Sequence, residues 1–216
     1  MNSILEKWTH YSDNVSTAIV FPDGCYDVIL AYHPKRKPHC FISDIDHMSY
    51  QVDLEAGVTL TGYRLQPGVI SNKTSIIKHL NNTLENIADI EGIIEEHSTH
   101  SNAVHDAIQC LSGRIKSVSA AAAMLGVSQR TLQRSFQNWR IEPPEFWLLL
   151  ARARRAACHV RSTTQLAEIA YLEGYADQAH MTREFQRWFQ LTPGHLRQSN
   201  SAHENIIQSG LGTCNS

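Results

Sequence analysis

The chain has 216 residues, 19% of them charged, with a formal net charge of −2. That length holds two small domains with their own cores, and the composition excludes disordered, collagen-like and disulfide-scaffold classes. The total conceals a division: residues 1–100 carry seven Lys/Arg against thirteen Asp/Glu (−6), and residues 101–216 carry twelve against eight (+4), all Arg but Lys116. A basic half joined to an acidic one fits a nucleic-acid-binding module attached to a different kind of domain.

From Thr17 to about Gln66 the sequence is strand-like. Thr17–Phe21 runs into the turn signal Pro22-Asp-Gly24, Cys25–Tyr32 resumes, and short runs follow at Cys40–Ile42, Tyr50–Leu54 and Val58–Gln66. Their spacing predicts a small antiparallel sandwich or barrel. After Pro67 the period changes, and helices are expected over Ser75–Leu80 and Leu84–Glu96, the latter with apolar Leu84, Ile87, Ala88, Ile90, Ile93 and Ile94. Ser98–Asn102 reads as a linker. Helices then follow at about 103–111, 119–125, 129–139, 144–160, 165–172, 178–189 and 194–197, with a fraying tail beyond Gln198. The whole is an α+β chain: residues 1–98 form a β-rich domain with trailing helices, 99–200 an all-α domain, and 201–216 a flexible tail.

The all-α half repeats itself. Shifted by forty-nine positions, Ser128 falls on Asp177, Leu132 on Met181, Arg134 on Arg183, Phe136 on Phe185, Trp139 on Trp188 and Pro144 on Pro193. With an offset one shorter, Val118, Ala122, Met124 and Gly126 fall on Leu166, Ala170, Leu172 and Gly174. Each copy reads as a helix, a Gly turn, a capped second helix and a stopping Pro, which is a helix-turn-helix. In the first copy Leu132 and Phe136 point inward, leaving Gln129, Arg130, Gln133, Arg134 and Gln137 outward. In the second Met181 and Phe185 point inward, leaving Gln178, His180, Thr182, Arg183, Gln186 and Arg187 outward. Arg and Gln have forked groups that match guanine and adenine edges. On a single helix such a face is ordinarily only solvated; in two copies with turns and caps in register, chance is a poor explanation. A helix beginning at Pro143-Pro144 bridges the copies, and its Arg152, Arg154 and Arg155, with Arg161 beyond, are candidates for phosphate contact.

On these residues, Ser117–Arg197 resembles the DNA-binding domain of the AraC/XylS transcription regulators. The most specific phrases are Leu166-Ala-Glu-Ile-Ala-Tyr-Leu-Glu-Gly-Tyr175, Asp177-Gln-Ala-His-Met-Thr-Arg-Glu-Phe185 and Leu191-Thr-Pro193, joined by Leu125–Phe136 in the first copy. The resemblance implies two helix-turn-helix units on a linker helix, with Arg130, Gln133, Arg134, Gln178, His180, Thr182 and Arg183 facing bases or nearby phosphates. Two departures are Arg140-Ile141, where the family usually has Gly, and Met181 in place of a common aromatic. Pro22-Asp-Gly-Cys-Tyr-Asp27 and Gly62–Gly68 resemble the sensor domain of shorter family members, which binds a small effector or pairs subunits. Tyr26, Tyr63 and Arg64 are the polar groups to inspect for an effector.

Other chemistry is thinly supported. Asp23 and Asp27 would raise the pKa of Cys25 rather than activate it. His33, His39, Cys40 and His47 lack the spacing of a cupin metal site, and His97, His100 and His105 read as solvated. No catalytic residue, metal or cofactor is assigned. The five scattered cysteines fit reduced thiols of a cytoplasm. There is no signal-like start, and Phe146–Ala151 is too short to span a bilayer. Expected partners are double-stranded DNA, with RNA polymerase, a small effector and a second copy of the chain as further candidates. The rival reading is a DNA-binding module fused to a Cys-dependent DNA-repair or other enzymatic domain.

Overall fold

A computed structural model describes residues 2–83, 89–208 and 210–212. The chain divides into two compact units. Unit 1 takes Met1–Ala18, Cys25–Ile45 and Gln51–Ser101; unit 2 takes Ile19–Gly24, Asp46–Tyr50 and Asn102–Ser216. The fold is α+β, with antiparallel strands up to residue 71 followed by mostly helical chain.

The strands are β1 (Ile4–Ser12), β2 (Ser16–Val20), β3 (Asp27–His33), β4 (Arg36–Ile42), β5 (Tyr50–Leu54), β6 (Val58–Leu65) and β7 (Ile70–Ser71); α1 (Lys73–Thr83), α2 (Ile90–Glu96) and β8 (Ser98–Thr99) follow. The main sheet has the order β1-β6-β3-β4, all antiparallel, and β2 pairs with β5 in a two-stranded ribbon. Strand β3 is a nearly unbroken apolar run because it is central: Val28, Ile29, Leu30 and Ala31 are all buried. On α1, Ile76 and Leu80 stand four apart on one face and are fully buried. With Ile94 of α2 they close over Tyr26, Val28, Leu30, Cys40, Tyr63, Leu65 and Val69.

Strand β1 carried no sequence expectation. It is an edge strand on which Ile4, Glu6, Trp8 and Ser12 turn toward the sheet while Leu5, Lys7 and Tyr11 are exposed, so its pattern is diluted by polar residues. Trp8 lies opposite Gly62, and its indole donates to Asp27 Oδ1 at 2.9 Å. Arg64 Nε donates to the same oxygen at 3.3 Å. A Cβ on Gly62 would sit 2.0 Å from the indole Cε2. Gly62→Ala is therefore expected to displace Trp8 and destabilise unit 1 by about 1–3 kcal/mol. Urea unfolding monitored by far-UV circular dichroism checks this; an unchanged midpoint contradicts the packing described.

Two stretches differ from expectation. Of the helix read over Leu84–Glu96, residues 84–88 lie outside the described residues. Asp89, whose carboxylate accepts from the Gly92 N–H at 2.7 Å, starts α2 anew. In the stretch read as a linker, Ser98 and Thr99 pair antiparallel with Ser71 and Ile70. A two-residue bridge is too short to leave a period in the sequence.

Unit 2 contains α3 (Asn102–Ser112), α4 (Val118–Met124), α5 (Gln129–Asn138), α6 (Pro144–His159), α7 (Leu166–Leu172), α8 (Gln178–Phe189), α9 (Pro193–Gln198) and α10 (Asn200–Ile206). Helix α6 is its axis. Sixteen residues long, or about 24 Å at 1.5 Å per residue, it buries Phe146, Trp147, Leu148, Leu150, Ala151, Ala153, Ala156 and Ala157. It packs on α3, α4, α5, α7, α8 and α10. The tail, expected to fray, instead continues as α10. Ser199 caps it, and Ala202, His203 and Ile206 turn inward. Leu211 is buried as well. Among the described residues no helix is long and apolar enough to cross a membrane. Cys25, Cys40 and Cys110 are thiols, but Cys158 is disulfide-bonded, a departure from the reduced thiols expected. Scatter along a sequence says little about proximity in a fold.

Candidate nucleic-acid interface

The two halves of the repeat are built by the same local chemistry. Ser117 Oγ accepts from the Ala120 N–H and starts α4; Ser128 Oγ accepts from the Thr131 N–H at 3.0 Å and starts α5. In the second copy Asp177 Oδ1 accepts from the His180 N–H at 2.6 Å and starts α8. A carboxylate at that cap also meets the positive end of the helix dipole.

The turns match bond for bond. Helix α4 ends with Val127 N–H donating to Ala122 O (3.0 Å) and Gly126 N–H to Ala123 O (3.1 Å). Helix α7 ends with Tyr175 N–H donating to Ala170 O (2.9 Å) and Gly174 N–H to Tyr171 O (3.1 Å). Each is a Schellman closure whose pivot must be left-handed, and Gly126 (φ 69°) and Gly174 (φ 79°) supply it. A third closure of this kind ends α5, where Ile141 N–H donates to Phe136 O at 3.2 Å. Its pivot is Arg140 at φ 52°, the position noted as a departure from the usual Gly. A side chain there is strained by about 1–2 kcal/mol. Arg140→Gly is expected to raise the stability of unit 2 by up to about 1 kcal/mol after the added chain entropy of Gly. A lowered thermal midpoint would contradict that.

Leu132 and Phe136 of α5, and Met181, Phe185, Trp188 and Phe189 of α8, are buried. This fixes which faces remain outside. Gln129, Arg130, Gln133, Arg134 and Gln137 are exposed on α5; Gln178, Arg183, Gln186 and Arg187 are exposed on α8. Arg130, Arg134 and Arg183 make no ion pair or hydrogen bond among the described residues. The remaining residues read as outward are engaged with the protein. His180 is half-buried, accepts from the Ala176 N–H at 3.3 Å and meets the Tyr175 ring edge-on. Thr182 Oγ1 donates back to Gln178 O at 2.9 Å. Arg187 lies over the Trp188 ring and 3.7 Å from Glu184.

The arginines of α6, read as candidates for phosphate, are turned into the protein. Arg154, 2% exposed, donates to the carbonyls of Leu211 (2.7 Å), Pro22 (3.1 Å) and Gln208 (2.6 Å). Arg152 stacks over the buried Tyr175, whose phenol is pushed up by burial. Arg155 Nε lies 3.0 Å from Glu173, a carboxylate with no exposed side-chain surface that also meets Arg114 (3.3 Å) and His159 (3.8 Å). Arg161 alone of that set is exposed. Glu173 has Leu125 as its counterpart in the first copy, so the second unit is pinned by charge where the first has an apolar residue.

In unit 1, Tyr26 is buried and donates to Ser71 Oγ at 2.9 Å, Tyr63 is buried beneath Lys7, and Arg64 pairs with Asp27. A shallow cavity of about 340 Å³ is lined by other residues, among them Tyr11, Tyr32, His33, Arg36 and Thr59. His33 accepts from the Lys35 N–H and His39 stacks on Phe41; in unit 2, His47 pairs with Glu142.

The helix-turn-helix domain family matches residues 121–199. No curated protein is similar enough to match the chain. Among solved structures, a regulator with an AraC-type DNA-binding domain from Chromobacterium violaceum is 22% identical, over 50% of this chain and 95% of that one, with a TM-score of 0.40. A probable AraC family regulator from Rhodopseudomonas palustris is 21% identical over 45% and 96%, also at 0.40. ToxT from Vibrio cholerae, solved with an unsaturated fatty acid bound, is 11% identical over 93% and 98%, at 0.46. Residues 121–199 are a helix-turn-helix domain.

Proposed function

We propose that the chain is a sequence-specific transcription regulator that binds double-stranded DNA with α5 and α8 in successive segments of the major groove. The observation that carries this is the repeated arrangement of a glycine pivot, a side-chain cap and an exposed Arg/Gln face. Arg130, Arg134 and Arg183 stand there without an ion pair or hydrogen bond among the described residues. An arginine held in solvent keeps its bidentate donors available for guanine O6 and N7. Gln129, Gln133 and Gln178 offer the corresponding fork to adenine. His180, Thr182 and Arg187 complete the second face at its edges, where they position the helix and meet phosphates. Helix α6 supports the reading in a different way, since its arginines hold unit 2 together and fix both heads on one axis.

Unit 1 in this proposal senses a small effector or pairs subunits. Tyr26, Tyr63 and Arg64 maintain its framework, and the cavity beside Tyr32 and Arg36 is the place for an effector to enter. A methyl-accepting thiol would need a lowered pKa, whereas burial pushes that of Cys40 up to about 11. Cys25 is buried as well, so neither described thiol of residues 1–100 has the exposed, electropositive setting of an activated one, and the regulator reading is favoured over a fused repair enzyme.

Selection of bound sequences from a random duplex pool tests the proposal. It expects two blocks of preferred bases centred about 10–10.5 base pairs apart. Enrichment of a single block, or of no sequence at all, would contradict it.

A further inference from the structure

We infer that unit 1 carries a binding site for a divalent transition-metal ion of the Zn²⁺ class, made by His79, Glu96 and His97. The three come from two successive helices: His79 from the middle of α1, Glu96 from the last turn of α2 and His97 from its C-cap. One ligand atom from each lies within 4.8 Å of the other two. Such a set, two imidazoles and a carboxylate, is what ions of borderline softness take.

The spacing between the rings is the sharper observation. His79 Nδ1 and His97 Nε2 are 3.4 Å apart. Two nitrogens each about 2.0–2.1 Å from Zn²⁺, subtending a tetrahedral angle, are separated by roughly 3.3–3.4 Å. The ring nitrogens therefore already stand at the separation of two ligands on one ion. Both rings and Glu96 are partly or fully exposed, so an ion has a path in. Glu96 makes no ion pair or hydrogen bond among the described residues, which leaves its carboxylate available.

The backbone beneath is held in place. Asn72, whose side chain accepts from the Ser75 N–H at the start of α1, donates its own N–H to His97 O at 2.9 Å. The start of α1 and the end of α2 are therefore tied before any ion arrives, and less ordering is left for binding to supply. The surplus of acidic residues over residues 1–100 favours a cation in this half of the chain. Water completes the coordination, as in zinc sites with three protein ligands.

The competing account is a simple hydrogen bond between two imidazoles, one neutral ring accepting from the other. Titration of the untagged full chain with Zn²⁺ in competition with a chromophoric chelator separates the two. The site predicts one equivalent bound in the micromolar range or tighter. His79→Ala and His97→Ala should each weaken it about tenfold or more, Glu96→Gln should weaken it less, and circular dichroism should show the fold retained. Failure of the native chain to compete with the chelator would overturn the inference, and so would undiminished binding in either histidine variant. Neither result bears on DNA binding by unit 2.

Discussion

Alanine at Arg134 and Arg183 together is expected to reduce affinity for the preferred duplex by roughly 30-fold to 10⁴-fold. Each arginine gripping a guanine edge contributes about 1–3 kcal/mol. They lie on separate helices and their side chains have no common partner among the described residues, so the losses should add, giving about 2–6 kcal/mol at 1.4 kcal/mol per decade. The folded state should not change, because both side chains are exposed and unpaired among the described residues. Exposed positions of that kind ordinarily move stability by no more than about 0.5 kcal/mol. Residual binding to scrambled duplex should persist, since phosphate attraction does not depend on sequence. Fluorescence anisotropy on selected and scrambled duplexes at one salt concentration checks this. Equal losses on both would assign the two arginines to phosphates instead of bases.

The second large effect belongs to stability. Glu173→Ala is expected to destabilise unit 2 by about 3–5 kcal/mol, the usual result of removing one member of a buried charged cluster. Its carboxylate is fully buried, and Arg155, Arg114 and His159 converge on it. Without it Arg155, itself 13% exposed, keeps among the described residues its bond to the Ser112 carbonyl. The cluster ties α6 and the end of α3 to the turn of the second helix-turn-helix, so its loss should loosen that head first. Trp139, Trp147 and Trp188 lie in unit 2 and only Trp8 in unit 1, so urea unfolding followed by tryptophan fluorescence reports mainly the affected unit. A shift under about 1 kcal/mol would mean that solvent screens the cluster as it does surface pairs.

What was legible in the sequence followed from short-range rules. The repeat announced itself because a glycine pivot, a Ser or Asp cap and two inward residues four apart are each dictated within a few residues of one another. The structure reproduces these at Gly126 and Gly174, Ser128 and Asp177, and Leu132/Phe136 and Met181/Phe185. The exception at Arg140 shows the geometry outweighing the residue: closure of α5 demands a left-handed pivot even where a side chain makes it strained.

What was not legible depends on partners distant in the chain. The α6 arginines have the composition of a phosphate-binding stripe, yet Arg154 is consumed by the carbonyls of Pro22, Gln208 and Leu211. Nothing local distinguishes an arginine that meets solvent from one that meets a returning tail. Nor does the text around Ile19–Gly24 and Asp46–Tyr50 announce that these segments pack with helices a hundred residues later. There Phe21 meets Phe189 edge-on, and the Ser49 N–H donates to Trp188 O at 2.9 Å. His97 reads as solvated in the sequence because its neighbour His79 comes beside it only once α1 and α2 have packed.

The most direct test of the two-headed reading is to insert five base pairs between the two preferred blocks of a selected duplex. With both recognition helices fixed on α6, the insertion turns one block about half a helical turn away from its reader. Affinity should then fall about a hundredfold or more, toward that of scrambled duplex. Affinity unchanged by the insertion would contradict a rigid pair of readers on one face of DNA.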